Sequence, residues 1–137
     1  PLGQAFQKTG TAEFLARSVL DASSWAPPEI HLYVVLALVY LVTAVLTQVA
    51  SNNAAAVVVA PIALSLGPAL GVDSRPFLFA VCFAASAAFM TPMGYQTNLM
   101  VHTAGEYRFS DYLKFGAPLS LLAWVLTTAL IPLIWPF

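Results

Sequence analysis

Three long intervals without a charged side chain constrain this sequence more than any other feature. No Asp, Glu, Lys or Arg occurs over the 41 residues 32–72, the 30 residues 76–105 or the 23 residues 115–137. A helix crosses the apolar core of a bilayer in about 20 residues. Only 8% of the residues are charged, against about 25% in soluble domains. The sequence therefore predicts an all-α integral membrane protein.

The composition also excludes several classes of function. The net charge is −1, and no run of basic residues is present that would attract a nucleic acid. A single cysteine, Cys82, rules out a disulfide within the chain. The apolar segments contain neither a His/Glu metal-binding pair nor a Ser/His dyad. We therefore expect no catalytic residue and no enzymatic activity.

The first thirty residues differ in kind from the rest. In residues 1–30, apolar side chains such as Phe14 and Val19 recur among charged ones such as Glu13 and Arg17. This pattern is typical of an amphipathic helix that lies along the membrane interface. We predict such a helix here, followed by a connector.

The first charge-free interval is too long for one membrane span. A single helix of 41 residues would be about 60 Å long, so residues 31–73 must fold back. Ser51, Asn52 and Asn53 stand at the midpoint, and both residue types are good N-caps for a second helix. Two interpretations are open: two complete spans joined by an aqueous turn, or a re-entrant helical hairpin whose tip lies at membrane depth. A buried tip of this kind is tolerated only inside protein or against a wet cavity.

Prolines mark the second arm of this segment. Pro61 lies well inside the arm and predicts a kink or an early break, because proline lacks the N–H that a helix needs. For the same reason Gly67 and Pro68 predict the end of the regular helix.

The second charge-free interval carries a polar interruption of its own. Residues 74–105 are too long for one span and too short for two, and the stretch TPMGYQTN at 91–98 lies inside them. Pro92 removes a backbone donor, and Gly94 permits unusual backbone angles. We predict a transmembrane helix broken at 91–98, although an aqueous loop between two short helices is the alternative. The remainder is predicted to form a loop at 106–114 and a terminal transmembrane helix at 115–137.

Two uncharged interruptions of this kind are typical of secondary transporters. A broken helix exposes half-helix ends inside the membrane, where carbonyl oxygens hold a cation and amide hydrogens hold an anion. Neutral Ser, Thr and Asn side chains complete such a site without burying a permanent charge. The absence of Asp, Glu, Lys and Arg from these intervals argues against a proton relay.

The motifs resemble those of a known family over nearly the whole chain. GQAFQKTGTAEFLA, LTQVASNNAAA, APIA and AFMTPMGYQTN follow one another in the order found in the C-terminal repeat of the divalent anion:sodium symporters. These are the sodium-coupled dicarboxylate and sulfate carriers. The family's Ser-Asn-Thr signature at a hairpin tip corresponds to Ser51, Asn52 and Asn53, and its Thr-Pro motif aligns with Tyr95 and Gln96.

The resemblance implies roles for individual residues. It implies sodium ligands, through side-chain oxygens or backbone carbonyls, at four positions: Thr47, Ala50, Asn52 and Gly94. It implies contacts to the anion at six: Ser51, Asn52, Asn53, Tyr95, Gln96 and Thr97. Asn98 is a candidate cap for the second half-helix.

The resemblance also implies the setting in which this chain works. The chain corresponds to half of an inverted-repeat transporter that moves its site in an elevator-like way, so the missing N-terminal repeat is needed for transport. The expected partners are sodium as the coupling ion, a small divalent anion (sulfate or a dicarboxylate), membrane lipid and a second copy of the full-length protein. The expected location is the bacterial inner membrane. The competing hypothesis is a structural or assembly subunit with ordinary spans and no ion site.

Overall fold

The computed structural model describes residues 11–137, with side chains described from residue 14 onward, and its regular elements are all helices. The predicted all-helical fold is confirmed for this part of the chain. The first ten residues of the predicted interfacial helix lie outside the described range. The helices are α1 (Thr11–Ser23), α2 (Pro28–Thr47), α3 (Asn52–Leu70), α4 (Arg75–Ala85), α5 (Gln96–Ala104) and α6 (Phe109–Ile134).

Three of these helices are long and apolar enough to cross a membrane by length and composition: α2, α3 and α6. Helix α4 is also apolar but has only 11 residues, or about 16 Å of helix. Both arms of the segment 31–73 therefore have spanning length. The re-entrant hairpin stays a prediction.

Local chemistry accounts for the ends of the two arms. Pro28 occupies the first turn of α2, where a missing N–H costs little. Ser51 caps α3, and its Oγ accepts a hydrogen bond of 3.3 Å from the backbone N–H of Ala54. Gly71 ends α3 with a left-handed φ of 70°, a conformation that favours glycine.

Helix α4 forms the centre of the packing. It contacts both α2 and α3, and its Phe77 and Ala80 are fully buried. Helix α6 lies at the edge of the bundle against α2 and α4, with most of its surface exposed. The indole N–H of Trp124 on α6 donates to the carbonyl of Ala37 on α2 at 3.0 Å. The core therefore holds α2, α3 and α4 together, and the C-terminal ends of α2 and α4 lie close to one another.

The second arm does not end at its prolines. Helix α3 continues through Pro61 and Pro68 to Leu70, so the predicted end at Gly67–Pro68 is wrong. Pro68 cannot donate to the carbonyl of Leu64, four residues earlier. The hydroxyl of Ser74 donates to that carbonyl instead, at 3.2 Å.

Two other boundaries differ from the sequence prediction. The non-helical segment between α4 and α5 covers residues 86–95, so the break begins five residues before the predicted 91–98. Helix α6 begins at Phe109, inside the predicted loop 106–114 and before the predicted start at 115. The backbone N–H of Arg108 donates to the carboxylate of Asp111 at 2.9 Å. This contact starts the helix as half of a capping box does.

Candidate binding site at the facing helix breaks

Thr47, the last residue of α2, joins the hairpin tip to the break. Its side chain is fully buried. Its Oγ1 lies 2.6 Å from the carbonyl oxygen of Ala85, the last residue of α4, and 3.0 Å from Oδ1 of Asn52. A hydroxyl has one proton and can donate to only one of them. Three oxygens, those of the Thr47 hydroxyl, the Asn52 amide and the Ala85 carbonyl, thus meet with a single hydroxyl proton among them.

Gln48 contacts the break at three points, although the sequence analysis did not single it out. Its Nε2 donates to the carbonyl of Ala87 at 3.1 Å and to that of Ala44, one turn back on α2, at 3.1 Å. Its Oε1 accepts a hydrogen bond of 3.0 Å from the backbone N–H of Met90. Its own carbonyl accepts one from the hydroxyl of Thr91 at 2.5 Å. The one indication of this role in the sequence was a single glutamine at the end of the apolar stretch 32–47.

Asn98 stabilises the break from its other side. This residue lies in the first turn of α5, and its Nδ2 donates to the carbonyl of Ala88 at 2.7 Å and to that of Thr91 at 3.2 Å. The predicted cap at Asn98 therefore takes a different form, because the side chain binds carbonyls of the break rather than an N–H of α5. The segment 86–95 is held by side chains where a helix would use its own backbone.

Gly94 brings the break into direct contact with the end of α2. A Cβ atom added to this buried glycine would lie 2.5 Å from the carbonyl oxygen of Thr47 and 2.9 Å from the Cβ of Ala88. Such distances are too short for any side chain. The structure thus brings together three of the predicted sodium ligands, Thr47, Asn52 and Gly94. Ala50 lies in the turn of the tip, where its N–H donates to Leu46 at 2.9 Å.

The tip and the break enclose a cleft of about 480 Å³ between them. Every residue predicted to contact the anion lines this cleft, and their roles remain predictions. The full lining is Ser51, Asn52, Asn53, Met93, Gly94, Tyr95, Gln96, Thr97 and Met100. It contains no Asp, Glu, Lys, Arg or His. These residues therefore offer a bound charge dipoles and hydrogen bonds and no fixed counter-ion.

Four helix ends meet around this cluster. Helices α2 and α4 end at Thr47 and Ala85, whose oxygens are in contact, and a helix C-terminus carries partial negative charge. Helices α3 and α5 begin at Asn52 and Gln96, both in the lining of the cleft, and a helix N-terminus carries partial positive charge. Partial charges of both signs therefore lie side by side around this cluster.

Helix α6 packs against the outer side of the break. The hydroxyl of Tyr112 donates to the carbonyl of Asn98 at 2.8 Å. Gly116 lies so close to the backbone of Phe89 that an added Cβ would be 2.2 Å from its carbonyl oxygen. The terminal helix therefore contacts both α5 and the break.

Comparison with known proteins identifies the type of molecule. The sequence profile of the citrate transporter family matches residues 2–136. An uncharacterized transporter of Synechocystis sp. is 44% identical over 137 residues, which cover 98% of this chain and 21% of that protein. The uncharacterized transporter YfbS of Escherichia coli is 36% identical over 137 residues, or 100% of this chain and 22% of that protein. Sodium/sulfate cotransporter 1 of Chlamydomonas reinhardtii is 34% identical over 125 residues, which cover 91% of this chain and 14% of that protein.

The chain therefore spans only about a fifth, or less, of the length of these relatives. The match nevertheless covers almost all of the chain, and its members are transporters rather than enzymes. The apolar helices agree with an integral membrane protein. The predicted resemblance to sodium-coupled anion carriers is confirmed at the level of the family: the chain belongs to the citrate transporter family, among relatives that include sodium/sulfate cotransporters.

Proposed function

We propose that this chain supplies the C-terminal repeat of a sodium-coupled symporter for a small divalent anion, sulfate or a dicarboxylate. The observation that carries the proposal is the meeting of the two polar interruptions. The tip at 51–53 and the break at 86–95 lie about forty residues apart in sequence, yet they line one uncharged cleft. Several relatives are named sodium/sulfate cotransporters, which supports sodium as the coupling ion and sulfate as a candidate anion.

Sodium is proposed to bind on the side of the helix C-termini. Thr47 Oγ1 and Asn52 Oδ1 are 3.0 Å apart, close enough to coordinate one ion together after a small adjustment. The carbonyls of Ala50 and Gly94 complete the proposed ligand set. Neutral oxygens of this kind suit a weakly bound ion that must leave again on the other side of the membrane.

The anion is proposed to bind in the cleft itself, next to sodium. Ser51, Asn53, Gln96 and Thr97 offer hydroxyl or amide donors, and the first N–H groups of α3 and α5 have no partner within their own helices. Anions bind readily at such helix N-termini. Bound sodium adds a positive charge close by, so the affinity for the anion depends on sodium. This dependence is the physical basis of the proposed coupling.

The short length of α4 supports a tip at membrane depth, that is, the re-entrant hairpin, whereas α2 and α3 are each long enough to span the membrane. Helix α4 begins at Arg75, whose exposed side chain pairs with Asp73 at 3.7 Å and favours a position at the membrane surface. Its length of about 16 Å ends near the middle of a core about 30 Å thick. Since Thr47 contacts Ala85 at that end, the proposed depth of α4 implies the same depth for the tip.

The proposal also includes the setting of the full-length protein. The longer relatives have room for a second, inverted repeat that would close the cleft and support it in the membrane. Several lining residues, among them Ser51 and Tyr95, are exposed in this chain by itself, as a shared site requires. A homodimer in the bacterial inner membrane, in contact with lipid, completes the proposal.

Uptake by the full-length protein in proteoliposomes tests the function directly. We expect labelled sulfate or succinate to accumulate when an inward sodium gradient is imposed, and the uptake to fall to the level of empty vesicles when choline replaces sodium. Labelled citrate should be measured in parallel, because the family profile carries that name. Uptake that is the same in sodium and in choline would contradict sodium coupling, and no uptake of any of the three anions would contradict the function.

Cysteine labelling distinguishes this proposal from the assembly-subunit hypothesis, which draws on the spanning length of both arms. In a background with Cys82 and the other cysteines of the full-length protein replaced, we expect Asn53→Cys to react slowly with a membrane-impermeant maleimide. Sodium together with the transported anion should slow this labelling reaction further, because the two bound ions fill the cleft. Ser110→Cys, exposed at the start of α6, is the control and should not respond to ligands. Rapid labelling at 53 that ignores sodium and anion would favour ordinary spans joined by an aqueous turn.

A further inference from the structure

Gln48 links the hairpin to the break more extensively than any residue that the sequence analysis singled out. Its side chain is only 6% exposed and bonds to both Ala87 and Met90 in the break. We infer that Gln48 is a positioning residue of the transport site, an inference that rests on the proposed function. Its amide holds the break in register with the tip, so that the sodium ligands and the anion cleft form together.

The chemistry of the amide explains why this side chain fits. Its Nε2 faces two carbonyl oxygens, those of Ala44 and Ala87, while its Oε1 faces the N–H of Met90. This environment fixes the orientation of the amide. An amide donates and accepts at the same time, whereas an ionised carboxylate only accepts. A carboxylate at this position would repel the carbonyl of Ala87, and a protonated carboxyl would reproduce the contacts to both Ala87 and Met90.

The position of Gln48 connects these bonds to the proposed site. It follows Thr47 directly, and Met90 precedes Gly94 by four residues. Gly94 must fit closely against the carbonyl of Thr47, so a shift of the break by a few tenths of an ångström would alter this contact. Gln48 does not line the cleft, and its effect on the ions is therefore indirect.

Gln48→Met tests the positioning role. Its side chain has a similar volume but leaves Ala87 and Met90 without their partners. Sodium-driven uptake of labelled sulfate, or of succinate if that is the anion carried, should be measured for the full-length variant at one pH. We expect the half-saturating concentrations of both sodium and anion to rise by about tenfold. A loss of folded protein alone would lower the maximal rate and leave both half-saturating concentrations unchanged.

Gln48→Asn provides a second measurement. It keeps the amide but carries it on a stem one carbon shorter, which draws it away from Ala87 and Met90. We expect both half-saturating concentrations to rise here as well. Thr103→Val is the matched control, because the exposed Thr103 bonds only to Leu99 on its own helix, and it should behave as the unaltered protein.

The outcomes separate this inference from the proposed function. If the unaltered protein shows no sodium-dependent uptake, the proposed function and the positioning role that rests on it both fail. If the unaltered protein transports and Gln48→Met matches it in both half-saturating concentrations, the positioning role alone is wrong. Should Gln48→Met fail to fold, the same comparison with Gln48→Asn decides the question.

Discussion

Replacing Gly94 by leucine is expected to reduce sodium-dependent uptake by the full-length protein about a hundredfold. Even one added carbon at this position would lie 2.5 Å from the carbonyl oxygen of Thr47 and 2.9 Å from the Cβ of Ala88. Both neighbours belong to backbone or to a short side chain, so they cannot rotate away. The break must then separate from the tip, and the proposed sodium ligands separate with it. Transport into proteoliposomes, with the amount of folded protein measured by size-exclusion chromatography, checks this result.

A second glycine provides the matched control. Gly71 ends α3 with a φ of 70°, and nothing lies within 4 Å of a Cβ added there. Asparagine tolerates this backbone conformation, so Gly71→Asn should fold and transport normally. Gly94→Ala should fall between the two, since it adds only the first carbon. If Gly94→Leu transports as well as Gly71→Asn does, then the break and the tip do not have to touch for transport, contrary to our proposal.

Thr47→Val is expected to raise the half-saturating sodium concentration about tenfold or more. Valine has nearly the shape of threonine but lacks the hydroxyl. The change removes one proposed sodium ligand and leaves the carbonyl of Ala85 without its partner at 2.6 Å. Thr47→Ser, which keeps the hydroxyl, should recover most of the sodium affinity. The sodium dependence of uptake at a fixed anion concentration measures both.

Thr43 is an unusually close control for this experiment. It lies one turn before Thr47 on α2 and is equally buried, but its hydroxyl donates to Val39 on its own helix at 2.7 Å. Thr43→Val therefore tests the loss of a buried hydroxyl without touching the site. We expect its sodium dependence to be that of the unaltered protein. Equal shifts for Thr43→Val and Thr47→Val would mean that a general loss of stability, and not a sodium ligand, explains the effect.

The sequence predicted those features that depend on neighbouring residues. Charge-free intervals gave the helical membrane class, and three adjacent polar residues marked the start of α3, because Ser51 caps a helix through contacts only three residues away. The family resemblance of the stretch TPMGYQTN predicted that Tyr95, Gln96 and Thr97 lie at a binding site, and all three line the cleft. In each case the information lay within a short stretch of the chain.

Features that depend on distant contacts were not predicted. The break begins at 86 instead of 91 because the carbonyls of Ala85 and Ala87 bond to Thr47 and Gln48, some forty residues earlier. Likewise α3 continues beyond Pro68 because the hydroxyl of Ser74 donates to the carbonyl of Leu64, to which Pro68 cannot donate. A local rule for helix ends cannot anticipate a partner that only the tertiary fold supplies. The start of α6 is different, because the contact that begins it joins Arg108 to Asp111, only three residues apart.

The neutrality of the cleft lining has an electrical consequence for the transport cycle. A group of dipoles with no net charge does almost no work when it is carried across the membrane potential, whereas each elementary charge involves about 2.3 kcal/mol per 100 mV. The lining described here contributes no such charge. In the proposed cycle, these lining residues would add no charge movement of their own when the empty carrier returns, and the membrane potential would act on this part of the site through the ions that are carried.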